Sequence, residues 1–166
     1  MASQTRWWVS KARQLRTHLF ARVSPEERRL LAAWTHPAEL VLFDAMHVAD
    51  RRHGLDVVAY LRRAGVADRD VLAAGLLHDC AKGDTGVMPR IAWSLGEVFG
   101  GRVPAAAARV PGWGAAIDRL RTHAEASADL AAAAGLPPFA VALVREQEAP
   151  GDPRYGALFH AADEAC

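Results

Sequence analysis

The chain contains the stretch Leu76-Leu77-His78-Asp79-Cys80-Ala81-Lys82-Gly83, which closes an apolar run over residues 71–77. His78 and Asp79 place an imidazole and a carboxylate, both able to bind a metal, at the end of a segment with the composition of a core helix. A carboxylate beside an imidazole is costly to bury unless a cation or hydrogen bonds compensate it. The pair therefore predicts a compensated polar site within a mostly apolar core.

The composition of the whole chain favours helices. Its 166 residues are enough for one domain with a substantial core. Hydrophobic residues make up 51% of the sequence and aromatic residues only 7%, so Ala, Leu and Val must fill that core. Ala and Leu are strong helix formers, and β-branched or aromatic runs at strand spacing are absent. We therefore predict an all-α domain of about six to eight helices.

Charge and cysteine content exclude several classes of protein. A net charge of +1 gives no reason to expect binding to a nucleic acid duplex. Two cysteines, Cys80 and Cys166, do not form a disulfide framework, and Cys80 is predicted to be a reduced core thiol. The sequence has no apolar run of membrane-spanning length and no signal peptide with an apolar core, so the default expectation is a soluble cytoplasmic protein.

The N-terminal part, residues 1–43, is predicted to be a helical extension that packs on a domain formed by residues 44–166. All charged residues in segment 1–23 are basic, and apolar residues that include Trp7 and Trp8 recur there at helical spacing. Such a segment can bind anionic lipid or a partner, or it can cover the core of its own domain. We favour the second interpretation, because amphipathic helices of soluble proteins mostly face their own core.

Capping signals mark several helix starts. Residues 24–27 read Ser-Pro-Glu-Glu, which supplies a Ser cap, a Pro at the first helical position and acids in the first turn. Residues 35–39 repeat this pattern, and Asp68 precedes a third helix. Asp152-Pro153 is predicted to open the last helix.

The segment 84–112 is rich in Gly and Pro, and we predict that it is irregular around one short helix. Long irregular segments in a compact domain are often lids or binding loops. Residues 113–134 are predicted to form one long helix or two short ones, ended by Gly135.

Two further residues are candidates to join the central pair. His53 shares the inward face of a predicted helix with Val57, and Asp163 lies on the last predicted helix. A histidine on an apolar face is usually a packing residue. Metal sites in helical bundles, however, are built from inward side chains on facing helices, and the His78-Asp79 pair on a neighbouring helix favours a ligand role for His53.

The series His53, His78-Asp79, Asp163, with Lys82 three residues after Asp79, resembles the HD-domain metal-dependent phosphohydrolase superfamily. The resemblance covers about residues 44–166. It implies an HD-domain-like helical bundle with a metal site between helices, and it implies that the four residues of the series are metal ligands. The common form of the motif has an aliphatic residue and Gly where this chain has Cys80-Ala81.

The resemblance also bears on the number of metal ions. Two-metal relatives add one histidine at a place comparable to His123 and another in the following helix, where this chain offers Glu146, Gln147 and Glu148. An amide is a poor ligand for a transition metal compared with imidazole. We therefore predict one divalent ion (Mn, Fe, Ni, Co, Zn or Mg). His123 remains a candidate for a second site, and His160 can either orient a ligand or simply pack.

The chemistry implied by the resemblance is hydrolysis of a phosphomonoester or phosphodiester, often on a nucleotide. A bound metal lowers the pKa of its water and neutralises charge on the phosphoryl group. Asp79 and Lys82 are the predicted catalytic residues, and Lys82 and Arg52 are predicted to bind the phosphate of a small-molecule substrate. Two alternatives remain: a non-catalytic metal-binding or regulatory module, and a metal-free bundle in which His78 and Asp79 form a hydrogen-bonded pair.

Overall fold

The structure is a computed structural model in which residues 21–166 are described. Helices are the regular secondary structure of these residues, and strands are absent from them, which confirms the all-α prediction. The described part contains nine helices, more than the six to eight predicted. They are α1 Pro25–Ala32, α2 Pro37–Ala45, α3 Val48–Arg63, α4 Arg69–Leu77, α5 Val87–Phe99, α6 Arg102–Ala107, α7 Gly114–Ala133, α8 Pro138–Arg145 and α9 Gly156–Ala165.

Two of the predicted caps form, at Ser24 and at Asp68. The Ser24 hydroxyl accepts a hydrogen bond from the Glu27 amide, and the Glu27 carboxylate accepts one from the Ser24 amide, so α1 begins in a capping box. At the start of α4, the Asp68 carboxylate accepts from the amides of Asp70 and Val71. The last helix begins at Gly156, later than predicted, because Asp152 instead caps the turn that precedes it.

Helix α4 is the centre of the fold. Every residue from 71 to 77 is buried, and the helix packs against α3, α8 and α2. Helix α3 approaches it closely at Gly54, where a Cβ atom would lie 2.4 Å from the Leu76 carbonyl oxygen. Glycine at this position is therefore what allows α3 to bring His53, its neighbour in sequence, close to the end of α4.

The segment 84–112 is more regular than predicted, because α5 and α6 occupy most of it. The prediction of one short helix was wrong because a glycine in this segment does not always end a helix. Gly96 lies inside α5 and faces α6, where a Cβ atom would be 2.7 Å from the ring of Pro104. This glycine therefore permits close packing of two helices and does not end one.

The structure tests part of the prediction that residues 1–43 pack on the rest of the chain. Leu31 of α1 and Phe43 of α2 are buried in the same apolar core as α4. The predicted packing of Trp7 and Trp8 lies outside the described residues, and the domain boundary at residue 44 stays a prediction. None of the helices within residues 21–166 combines the length and the apolar composition that crossing a bilayer requires.

Candidate metal centre

His78 and Asp79 lie in the turn that follows α4, and not within the helix as predicted, because the helix ends at Leu77. The Nδ1–H group of His78 donates to the carbonyl oxygen of Gly75 at 2.9 Å. In the neutral imidazole this bond uses the only ring proton, so the lone pair is then on Nε2, the nitrogen that faces the other candidate ligands. The turn thus orients a nitrogen that can bind a metal ion.

Two residues from other parts of the chain, His53 and Asp163, converge at this nitrogen. His53 Nε2 is 3.2 Å from His78 Nε2 and 2.9 Å from Asp163 Oδ1. His78 Nε2 is 3.2 Å from the same Asp163 oxygen. The ligand atoms of His53, His78 and Asp163 all lie within 4.8 Å of one another, so this group can hold a metal ion.

The donor set of this group fits a cation. Two imidazole nitrogens and one carboxylate oxygen face a common point, and the neutral form of His78 offers its lone pair there while Nδ1 donates to Gly75. Lone pairs at such distances repel unless a proton or a metal ion lies between them. Imidazole and carboxylate together suit several divalent transition metals, so the ligands do not identify which one binds.

Asp79 lies beside the group and is 2% exposed. Its Oδ2 atom is 3.5 Å from His78 Nε2 and 3.9 Å from His53 Nε2. The same oxygen accepts a hydrogen bond from the ammonium group of Lys82. Burial by itself raises the pKa of Asp79, but the nearby positive charges of His78 and Lys82 outweigh burial and hold that pKa low, so the group is a carboxylate.

The second oxygen of Asp79 faces His123. Within residues 21–166 this Oδ1 atom is buried and has no hydrogen-bond partner, and His123 Nε2 is 3.5 Å from it. The Nδ1–H group of His123 donates to the carbonyl oxygen of Leu120 at 2.7 Å. Burial and the charge of Lys82 lower the pKa of His123, which favours the neutral ring. His123 is therefore close enough to contribute to the site through Asp79.

Gln147 contacts the backbone of His78, and His160 contacts the backbone of Gln147. The Gln147 side chain is buried, and its Nε2 donates to the carbonyl oxygen of His78 at 3.3 Å. The His160 Nδ1–H group donates to the carbonyl oxygen of Gln147 at 3.0 Å. His160 was predicted either to orient a ligand or simply to pack. Its Nδ1–H bond joins α9 to the chain that follows α8.

Two cations were predicted to bind phosphate, and they have different surroundings. Burial by itself lowers the pKa of Lys82, but the carboxylates of Asp79 and Asp163 outweigh burial and raise that pKa. The ammonium group therefore stays charged beside the candidate ligands. The Arg52 guanidinium pairs with Glu27 at 2.5 Å and with Asp56 at 3.0 Å. Lys82 is therefore the cation that directly adjoins the candidate ligands.

Two contacts support the turn and were not predicted. The Ser127 hydroxyl, fully buried on α7, accepts a hydrogen bond from the Ala81 amide at 3.0 Å. The Cys80 thiol lies 3.8 Å from the Ser127 carbonyl oxygen, and burial raises its pKa to about 11. Cys80 is thus a protonated thiol, as expected for a core residue. A small polar residue on an Ala-rich helix gave no signal that it would contact the turn.

Comparisons with protein-family models, with curated proteins and with solved structures found no match to this chain. A functional proposal must therefore rest on the geometry and chemistry of the site.

The protonation of His78 predicts how metal affinity depends on pH. Burial by itself lowers the pKa of His78, but the carboxylates of Asp79 and Asp163 outweigh it and raise that pKa to about 9 in the metal-free protein. Below that pH a cation must displace a proton from the ring. We expect affinity to rise about tenfold per pH unit between about pH 6 and pH 8 and to level off above about pH 9.

Titration of metal-stripped protein with Mn²⁺ at several pH values measures this dependence. Calorimetry in buffers of different ionisation enthalpy should show the release of about one proton per ion at neutral pH. An affinity independent of pH over this range would contradict the prediction.

Proposed function

We propose that the chain is a metal-dependent phosphohydrolase of the HD-domain type, which cleaves a phosphomonoester or phosphodiester of a small molecule. One observation carries the proposal: the ligand atoms of His53, His78 and Asp163 lie within 4.8 Å of one another, beside the carboxylate of Asp79 and the ammonium group of Lys82. These five residues are the ones that the resemblance assigns to the metal and to phosphate chemistry.

The proposed ligands of a single divalent ion are His53, His78, Asp163 and, through Oδ2, Asp79. When bound, such an ion supplies an acidified water molecule and neutralises charge on a phosphoryl group. The Nδ1–H bond from His78 to Gly75 orients one ligand nitrogen, as the second nitrogen of a metal-bound histidine commonly does. We propose no second ion, because Gln147 uses its side-chain amide to bond the backbone of His78.

Lys82 is proposed to bind the phosphate. An ammonium group carries three hydrogens, and the described contact with Asp79 uses one of them. The Lys82 side chain is 22% exposed, so the remaining hydrogens can reach a substrate that enters from solvent. The charges of His78 and Lys82 both hold the pKa of Asp79 low.

The proposal is tested by elemental analysis of the purified protein, followed by hydrolysis assays. We would use p-nitrophenyl phosphate, bis-p-nitrophenyl phosphate and nucleoside monophosphates with Mn²⁺, Fe²⁺, Co²⁺, Ni²⁺, Zn²⁺ or Mg²⁺. Metal-dependent phosphate release would support the proposal. Bound metal without turnover would favour a non-catalytic metal-binding or regulatory module, and absence of metal binding would favour a metal-free bundle.

Replacing Lys82 by Ala should leave the metal bound and weaken phosphate handling. A protonated ammonium group is not a metal ligand, so metal content should stay within error of wild type. Losing one charged hydrogen bond to phosphate costs about 1.5–3 kcal/mol, which corresponds to a decrease of about 10- to 100-fold in kcat/KM.

The matched control for Lys82→Ala is Arg121→Ala, which removes an exposed cation paired with Asp118 on the surface of α7. Its kinetic constants should match those of wild type. Loss of the metal from the Lys82 variant, or unchanged kcat/KM in that variant, would remove Lys82 from the proposed phosphate site.

A further inference from the structure

The most highly bonded cation near the metal centre is Arg90, in the first turn of α5. Its guanidinium donates from Nη1 and Nη2 to the two oxygens of Asp50, at 2.6 Å and 2.8 Å. It also donates from Nε to the Thr85 hydroxyl at 2.7 Å and from Nη2 to the Gly83 carbonyl oxygen at 3.1 Å. Asp50 and Thr85 are 3% and 4% exposed, so these bonds are shielded from water.

These partners belong to the two segments of the chain that supply His53 and Lys82. Asp50 is on α3, three residues before His53, and one helical turn places the two side chains on the same face of that helix. Gly83 and Thr85 belong to the loop that begins directly after Lys82. The guanidinium of Arg90 therefore ties the helix that supplies a proposed metal ligand to the loop that follows the proposed phosphate-binding lysine.

The pattern of hydrogen bonds indicates what Arg90 does. A guanidinium has five N–H groups, and four of those of Arg90 are used on protein atoms, with one N–H of Nη1 remaining. Its side chain is 18% exposed. A guanidinium so fully engaged has little capacity left for a substrate, but it holds the loop at two residues, Gly83 and Thr85, and binds α3 at Asp50.

A gain in stability is a poor explanation for the buried ion pair between Asp50 and Arg90. Burying both charges costs about as much as their attraction returns, and a buried ion pair is often no more stabilising than apolar residues of similar volume. Directional bonds do, however, fix the relative position of the elements that they join. The Asp50–Arg90 pair joins α3 to the 83–85 loop at the point where the loop leaves Lys82.

We propose that Arg90, held by Asp50, is a positioning residue for Lys82 that keeps its ammonium group beside the metal centre. This inference rests on the proposed phosphohydrolase function. Arg90 fixes the backbone at Gly83, the residue after Lys82, and so restricts where the lysine side chain can extend. Without it, the loop keeps its sequence and its charge, but Lys82 samples positions away from Asp79.

The test compares three variants, Arg90→Lys, Arg90→Met and the double variant Asp50→Asn/Arg90→Met, with the control Arg119→Met. Arg119 also donates to this loop, at the Asp84 carbonyl oxygen, but from an exposed position on α7. The double variant removes both charges together, so it leaves no unpaired carboxylate in the core if Arg90→Met alone fails to fold.

Two kinds of measurement are made on protein loaded with Mn²⁺. The first is the rate at which an amine-reactive acylating reagent modifies Lys82, followed by peptide mass spectrometry, and it needs no enzymatic activity. The second is kcat and KM for p-nitrophenyl phosphate. Thermal unfolding and Mn²⁺ content establish that each variant is folded and loaded.

In Arg90→Met, or in the double variant, we expect Lys82 to be acylated at least about tenfold faster, and KM to rise about tenfold while kcat changes less than about threefold. Arg90→Lys retains the charge but cannot make the paired bonds, so it should restore only part of the wild-type behaviour. Arg119→Met and wild type should not differ, and Mn²⁺ content should be the same in all variants.

Unchanged acylation of Lys82 in a folded variant without Arg90 would overturn the inference, as would a fall in kcat with unchanged KM. An effect of Arg119→Met equal to that of Arg90→Met would do the same. If the phosphohydrolase proposal is wrong, wild type will release no phosphate from any substrate. The acylation rates would still decide whether Arg90 positions Lys82.

Discussion

Asp163→Ala should give a folded protein that has lost both the proposed metal ion and the proposed phosphate release. The Oδ1 atom of Asp163 is 2.9 Å from His53 Nε2 and 3.2 Å from His78 Nε2, so it is the oxygen that both imidazoles share. Removing only an outer partner of a ligand costs about 10- to 100-fold in metal affinity, and loss of a direct ligand should exceed about 100-fold. Elemental analysis and Mn²⁺ titration measure the change.

The control is Glu164→Ala, which removes an exposed carboxylate from the next position of the same helix and should bind metal as wild type does. Asp163 is well suited to this test because its side chain is 28% exposed, so truncation does not leave a sealed cavity. Metal retained at wild-type affinity in the Asp163 variant would refute the proposed centre.

A companion variant, Asp79→Ala, tests the fourth proposed ligand. We expect it to lose metal and activity as well, because Asp79 Oδ2 lies within 4 Å of both imidazole nitrogens. It also leaves Lys82 without its carboxylate partner, so its thermal stability must be recorded together with its metal content. Metal retained in a folded Asp79 variant would limit the ligand set to His53, His78 and Asp163.

Gly54→Ala should destabilise the whole fold. The added Cβ atom would lie 2.4 Å from the Leu76 carbonyl oxygen and 3.2 Å from its carbonyl carbon, which are backbone atoms of the central helix and cannot rotate away. Ala is favoured over Gly in a helix by about 1 kcal/mol, so the steric cost must exceed that gain. Overpacking costs about 1–3 kcal/mol, and we expect a loss in the upper part of that range or beyond it.

Urea unfolding followed by circular dichroism measures this loss. The matched control is Gly101→Ala, because no atom lies within 4 Å of the added Cβ there and the φ angle of −59° suits alanine. The control should unfold at the urea concentration of wild type or slightly above it. Equal stability of the Gly54 variant and wild type would show that α3 and α4 can separate at this crossing without cost.

The helical class and several helix starts could be predicted because their signals are local. The cap at Ser24 and the cap at Asp68 each bond amides within three residues, so a short window of sequence contains the whole interaction. The segment 84–112 was not predicted as well. The partner of Gly96 is Pro104 on the following helix, and local propensity does not reveal that a glycine is required by tertiary contact.

The convergence of His53, His78 and Asp163 was predicted because their residue types and order resemble a known pattern. The contacts that support this group could not be predicted in the same way. Asp50 and Arg90 are 40 residues apart, and Gln147 is 69 residues from the His78 carbonyl oxygen that it bonds. Each of these pairs depends on how helices cross, which no local signal records.

The wide separation of the ligands along the chain has a consequence for biosynthesis. His53 and Asp163 are 110 residues apart, so the proposed cation site cannot form until residue 163 has left the ribosome. An ion that binds only the folded chain also adds its binding free energy to folding, about 2.7 kcal/mol when free metal is 100 times its Kd. If the proposed ion binds, a cell short of metal would hold a less stable pool of this protein and, through proteolysis of unfolded chains, a smaller one.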